Sequence, residues 1–170
     1  KYNIPSDAFV LGTVSRLEPE KNILFLARSV KRYLSQNHHA HFLIIGDGSL
    51  RADLKRLFSD ETIRARVHYT GILKGADLID AYCAMDVFVF ASYTETQGLV
   101  LLEAMAAGIP VVAWAAPGVS DILKDAYNGR IVSGNTAQDF CEAVQRLDRA
   151  PAAERRTIRA HCIKTARNYS

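Results

Sequence analysis

Short apolar runs alternate with helix-spaced stretches along nearly the whole chain. Residues 9–14, 41–45, 67–70, 86–90, 109–113 and 130–132 are rich in Val, Ile, Phe and other β-branched or aromatic residues. Most lack the strict apolar–polar alternation of a half-exposed strand, so they are expected to be strands covered on both faces. Between and after them the spacing predicts helices over 23–35, 50–60, 76–84, 98–107, 136–149 and 151–167. In 23–35, Leu24, Ala27, Val30 and Leu34 recur on one face, while Arg28, Lys31 and Arg32 supply a solvated one. Strand–helix alternation at this length predicts an α/β fold: a doubly wound, six-stranded parallel sheet, Rossmann-like, with right-handed crossovers. Ligands of such sheets bind at the carboxyl ends of the strands, near the point where strand order reverses. Arg16, Lys21, Leu73, Glu95, Gly98 and Gly118 all fall in loops of that rim.

One predicted helix breaks the amphipathic rule. From Leu99 to Ala107 every residue is apolar except Glu103, which predicts a helix buried on all sides with a carboxylate buried in it. A buried carboxylate needs a specific partner. Glu95 stands just ahead of this helix, and Gly98 at its start leaves backbone amides open to an anion.

With 170 residues, 49% of them apolar, the chain has enough material for one globular domain over 1–170. The net charge of +3 is spread along the sequence, which argues against nucleic acid while leaving anionic ligands or an anionic membrane surface open. Cys83, Cys141 and Cys162 have no CxxC spacing and are expected to be reduced thiols, as in the cytoplasm. No signal peptide or membrane-spanning run is visible. The start at Lys1 and the end in mid-pattern read as a domain cut from a longer protein.

Other chemistries are weaker. Gly46-x-Gly48 follows a strand but has neither the third glycine nor the downstream acid of a dinucleotide fingerprint, so it is expected to shape a turn with Ser49 as N-cap. Asp77, Asp80, Asp121 and Asp125 form no Asp-x-Asp pair, and no His or Cys spacing suits zinc, so no metal is expected. His38, His39 and His41 are expected at the surface and His68 in the core. Arg16 and Lys21 share one loop; a planar guanidinium and a mobile ammonium facing the helix start at Gly98 would suit a diphosphate.

These residues together resemble the carboxyl-terminal, nucleotide-sugar-binding domain of the retaining glycosyltransferases of family 4, which have the two-domain GT-B fold. The resemblance rests on Gly12-Thr13-Val14-Ser15-Arg16-Leu17-x-x-x-Lys21-Asn22, Ile44-Ile45-Gly46-Asp47-Gly48, Tyr69-Thr70-Gly71, and Glu95 with Glu103 eight residues on, followed by Ala-Met-Ala-Ala-Gly-Ile-Pro-Val-Val. It implies that Arg16, Lys21 and the amides of Gly98, Leu99 and Val100 hold a donor diphosphate. Glu103 would take the ribose hydroxyls, Glu95 a hydroxyl of the transferred sugar, and Ile72 and Leu73 the base. Gly12, Thr96 and Gln97 complete the implied donor site, with Glu95, Arg16 and Lys21 as its catalytic groups. The resemblance further implies a UDP-hexose donor, retention, no cofactor or metal, and an absent amino-terminal domain that holds the acceptor and meets the membrane surface. Gln97 stands where many relatives have an aromatic, a variant similar to that of enzymes that glycosylate membrane lipids. A sugar-nucleotide 2-epimerase half and a non-catalytic nucleotide-binding module remain rival readings.

Overall fold

The computed structural model describes residues 2–169. Its strands are β1 (Phe9–Val14), β2 (Ala40–Ile45), β3 (Val67–Gly71), β4 (Val87–Phe90), β5 (Val111–Trp114) and β6 (Gly129–Val132). They form one sheet in the order β3-β2-β1-β4-β5-β6. Every pairing is parallel, with Leu11 opposite Val87 where β1 meets β4. The first three strands step outward one way and the last three the other, so the reversal lies between β1 and β4. Right-handed crossovers then assign helices to both faces of the sheet. That coverage explains why β2, β4 and β5 are buried along their entire length. The expected doubly wound architecture is therefore the observed one.

The helices are α1 (Ile23–Gln36), α2 (Arg51–Leu57), α3 (Glu61–Arg64), α4 (Gly75–Cys83), α5 (Leu99–Ala106), α6 (Pro117–Ser120), α7 (Ala137–Asp148) and α8 (Ala152–Asn168). α1 packs against α7, and α5 against α8. The expected helix over 50–60 ends at Leu57, and a second, unexpected short helix, α3, follows it. Buried Phe58 ends the first, and Asp60 starts the second by accepting the amides of Thr62 (3.1 Å) and Ile63 (3.3 Å). Ser49 is not the N-cap of α2: its amide and hydroxyl donate to Glu18 instead.

Two burial expectations are corrected. α5 is not enclosed on all sides: Leu101, Ala104 and Met105 are buried, but Leu99 is 58% exposed and Glu103 and Ala106 face outward. An all-apolar sequence hides the difference between core and groove, because both accept Leu, Val and Ala. His41 is buried rather than superficial, its ring stacked on His68 with Nδ1 and Nε2 3.0 Å apart. Arg66 is also buried; its guanidinium donates to the carbonyls of Leu34, Asn37 and Ala40, closing the carboxyl end of α1.

Candidate functional site

The crevice at the carboxyl ends of β1 and β4 is built by two interlocked loops. After β1 the chain is tied to the loop after β2 by Ser15 N to Ile45 O (3.1 Å), Leu17 N to Asp47 O (2.9 Å) and Leu50 N to Leu17 O (2.9 Å). The loops lie so close that a Cβ on Gly46 would sit 1.9 Å from the Ser15 carbonyl, and Gly46 has φ +134°, which favours glycine. Gly46-x-Gly48 is thus a packing turn, as expected. The clasp, with Leu17 fully buried beneath it, fixes where the following 3₁₀ turn (Pro19–Lys21) begins.

That turn delivers Lys21 to the start of α5. Lys21 Nζ lies 3.9 Å from Glu95 Oε2, both side chains being less than a fifth exposed. Glu95 Oε1 accepts the amides of Gly98 (2.8 Å) and Gln97 (3.3 Å). Gly98 is in the left-handed region at φ +62°, and a Cβ there would meet Ile122 at 2.5 Å. Behind the loop, Gly118 donates its amide to the Glu95 carbonyl (3.1 Å) and leaves no room for a side chain against Glu95 and Thr96. A carboxylate against helix-start amides, beside a shielded ammonium, marks a place built for negative charge.

The structure brings Lys21, Glu95, Gln97 and Gly98 together, but not Arg16. Arg16 is exposed on the rim and pairs with Glu20 at 2.8 Å. Gly12 lies inside the sheet, where the Met85 side chain fills the space a Cβ would occupy. Thr96 and Leu99 are exposed beside the cluster, and Val100 is half-buried. Ile72 is 70% exposed beyond the end of β3, with Leu73 half-buried next to it.

Glu103, expected to be buried, instead accepts a hydrogen bond from Tyr82 Oη (2.7 Å) at the mouth of a groove of about 570 Å³ between α4 and α5. Burial and the neighbouring carboxylate push the Tyr82 hydroxyl well above its usual pKa, so it stays a donor. The partner that the sequence demanded for this acid is thus a buried tyrosine, and the carboxylate keeps an open side.

Among the described residues, four buried side-chain polar atoms have no hydrogen-bond partner: Thr13 Oγ1, Ser15 Oγ, Asn22 Nδ2 and Tyr69 Oη. The first three belong to the carboxyl end of β1 and its loop, and Tyr69 lies near the end of β3. Burial raises the Tyr69 hydroxyl to about 12. Unpaired buried groups are rare, and their gathering at one end of the sheet is what a ligand-completed site looks like. All four stand in the motifs that carry the resemblance, but no separate role is legible for any of them in the sequence. Polar residues closing an otherwise apolar strand were the available signal. Among the described residues no three His, Cys, Asp or Glu side chains converge as metal ligands would.

Comparison with known proteins places the fold in a family. Residues 1–169 match the family described as glycosyl transferases group 1. Over 117 residues the chain is 39% identical to a sulfoquinovosyl transferase of Arabidopsis thaliana, covering 69% of this chain and 21% of that protein. It is 32% identical over 135 residues to an alpha-monoglucosyldiacylglycerol synthase of Acholeplasma laidlawii, covering 79% and 34%. A pneumococcal O-GlcNAc transferase solved with UDP and GlcNAc superposes with a TM-score of 0.86 at 23% identity, over 96% of this chain and 33% of that one. The chain thus spans about a third or less of the length of these relatives. It belongs to the glycosyl transferases group 1 family, and its sheet is the Rossmann-like half of a GT-B fold.

Proposed function

We propose that this chain is the donor-binding domain of a retaining, metal-independent glycosyltransferase that uses a nucleotide-diphosphate sugar, UDP-hexose foremost. The carrying observation is the meeting of Lys21, Glu95 and the Gly98 amide at the sheet's reversal point, with unpaired Thr13, Ser15 and Asn22 on the strand and loop that carry Lys21. The diphosphate sits against Lys21 and the start of α5. Arg16 reaches it by leaving Glu20, an exposed pairing of little worth. Glu103 takes the ribose diol, Glu95 a sugar hydroxyl, and Ile72 and Leu73 the base, with Thr96, Gln97, Leu99 and Val100 along the path.

In the reaction the bond between the anomeric carbon and the diphosphate oxygen breaks, its electron pair leaving with the diphosphate. The acceptor oxygen bonds to the same face of that carbon, and its proton passes to the departing phosphate. Negative charge grows on the leaving group, where each preorganised donor contributes on the order of 3 kcal/mol. The acceptor is a lipid, a lipid-linked sugar or a saccharide, bound by an amino-terminal domain of the full-length protein. The domain alone is then inactive in transfer. The work is that of a cytoplasmic enzyme which approaches a membrane through its other half. The names of the relatives support a glycolipid product, and the UDP complex of the pneumococcal enzyme supports a uridine nucleotide. Calorimetry with UDP, UDP-glucose and GDP tests the reading: a folded protein that binds none of them refutes it.

A further inference from the structure

A column of three aromatic rings, half-buried Phe25, buried Trp114 and exposed Tyr93, lies beside the proposed donor site. Phe25 of α1 stacks on Trp114 at the end of β5, with ring centroids 4.1 Å apart and planes 25° apart. Tyr93 continues the column, 5.3 Å from Trp114. Trp114 is 9% exposed, and its indole N–H is held by the Gly134 carbonyl at 2.8 Å. Tyr93 is 61% exposed. Together they floor a shallow hollow of about 210 Å³ whose other side is formed by Ser133, Gly134 and Asn135. Ser133 and Asn135 are exposed and free to hydrogen-bond.

We infer that this hollow is a carbohydrate subsite that binds a pyranose or cyclitol unit of the acceptor, whose remaining part the amino-terminal domain holds. A six-membered polyol has a face of C–H groups and an edge of hydroxyls. An aromatic shelf beside exposed polar side chains matches both, and the contact with Trp114, itself stacked on Phe25, lowers the cost of ordering Tyr93. The assignment to the acceptor rests on the donor reading and on strand order. Across the rim come first Ile72 and Leu73 after β3, then Lys21 after β1, then Glu95 after β4, then the shelf, which reaches from Tyr93 of that same β4 loop outward to the ends of β5 and β6. If the base lies at the first and the transferred sugar at Glu95, the next position belongs to whatever receives that sugar. The subsite therefore favours an acceptor that already carries a sugar or cyclitol over a bare diacylglycerol.

Trp114 is the only tryptophan in the chain, so its fluorescence reports on the shelf alone. The test titrates the protein with methyl glycosides of glucose, galactose, mannose and N-acetylglucosamine, with myo-inositol and with maltose, while UDP binding is read separately by calorimetry. The expected result is a saturable, millimolar change in Trp114 emission with at least one of these probes. That response weakens by roughly tenfold or more in Tyr93→Ala and survives in Tyr93→Phe, with UDP affinity equal in all three proteins. No saturable response to any probe, or an undiminished one in Tyr93→Ala, overturns the subsite if UDP still binds. Absence of UDP binding by the folded wild-type protein overturns the donor reading instead.

Discussion

Glu95 holds the amide of Gly98 at 2.8 Å while its other oxygen faces Lys21 at 3.9 Å. The carboxylate thus occupies the same donors that a diphosphate would use. Binding of the nucleotide must displace it, which turns it toward the sugar. Glu95→Ala is therefore expected to bind UDP several-fold more tightly, since about 1 kcal/mol of competing charged hydrogen bonding is removed. The same variant loses any preference for UDP-glucose over UDP. Calorimetry of the two ligands on wild type and variant checks both signs; weaker UDP binding by Glu95→Ala would contradict the account.

Glu103 has one fixed partner, Tyr82, and an open side toward the groove. If that side takes the ribose diol, wild type should prefer UDP over 2′-deoxy-UDP by about tenfold, roughly 1.4 kcal/mol for one charge-assisted hydrogen bond. Glu103→Ala should bind the two nucleotides equally. Persistence of the preference in the variant would move the ribose elsewhere.

Gly118 backs the Glu95 loop. A Cβ there would come within 2.7 Å of the Glu95 carbonyl oxygen and of the Thr96 carbonyl carbon, both backbone atoms. Gly118→Ala is expected to cost about 1–3 kcal/mol of stability, because the loop must shift to admit the methyl. Affinity for UDP-glucose should fall further than affinity for UDP, since Glu95 is what the shift misplaces. Denaturant melts and paired calorimetry read the two effects separately.

The sheet was legible because β2, β4 and β5 are covered on both faces and read as short apolar runs alternating with helix-spaced stretches. The site was legible in part. Lys21, Glu95 and Gly98 could be placed because each sits in a loop at a strand end, and strand order then brings those loops together. Arg16 could not be placed as well, since a long exposed side chain takes whatever local partner is nearest, here Glu20. The burial of α5 was misjudged for a different reason: Leu99 and Ala106 look alike in sequence whether they meet the core or line a groove. The stacking of His41 on His68 depends on the register of β2 against β3, which no local pattern encodes.

Burial lowers the pKa of both His41 and His68, and for His68 the charge of its partner adds to the effect. The native protein thus takes up these protons at lower pH than the unfolded chain, whose histidines titrate near 6.5. Their contribution is fully present above about pH 6.5 and is lost as pH falls from there toward the lowered native values. The melting temperature should decline over that window, and His68→Gln should flatten the decline relative to wild type. A variant as pH-sensitive as wild type would assign the effect to other groups.

The central claim is that Lys21 and the start of α5 form a diphosphate site. Calorimetric titration of wild type and Lys21→Ala with UDP and with uridine tests it most directly. The account predicts that UDP binding weakens by about tenfold in the variant, roughly 1.4 kcal/mol, while uridine, which has no phosphate, binds both proteins alike. Equal UDP affinity in the two folded proteins would contradict it.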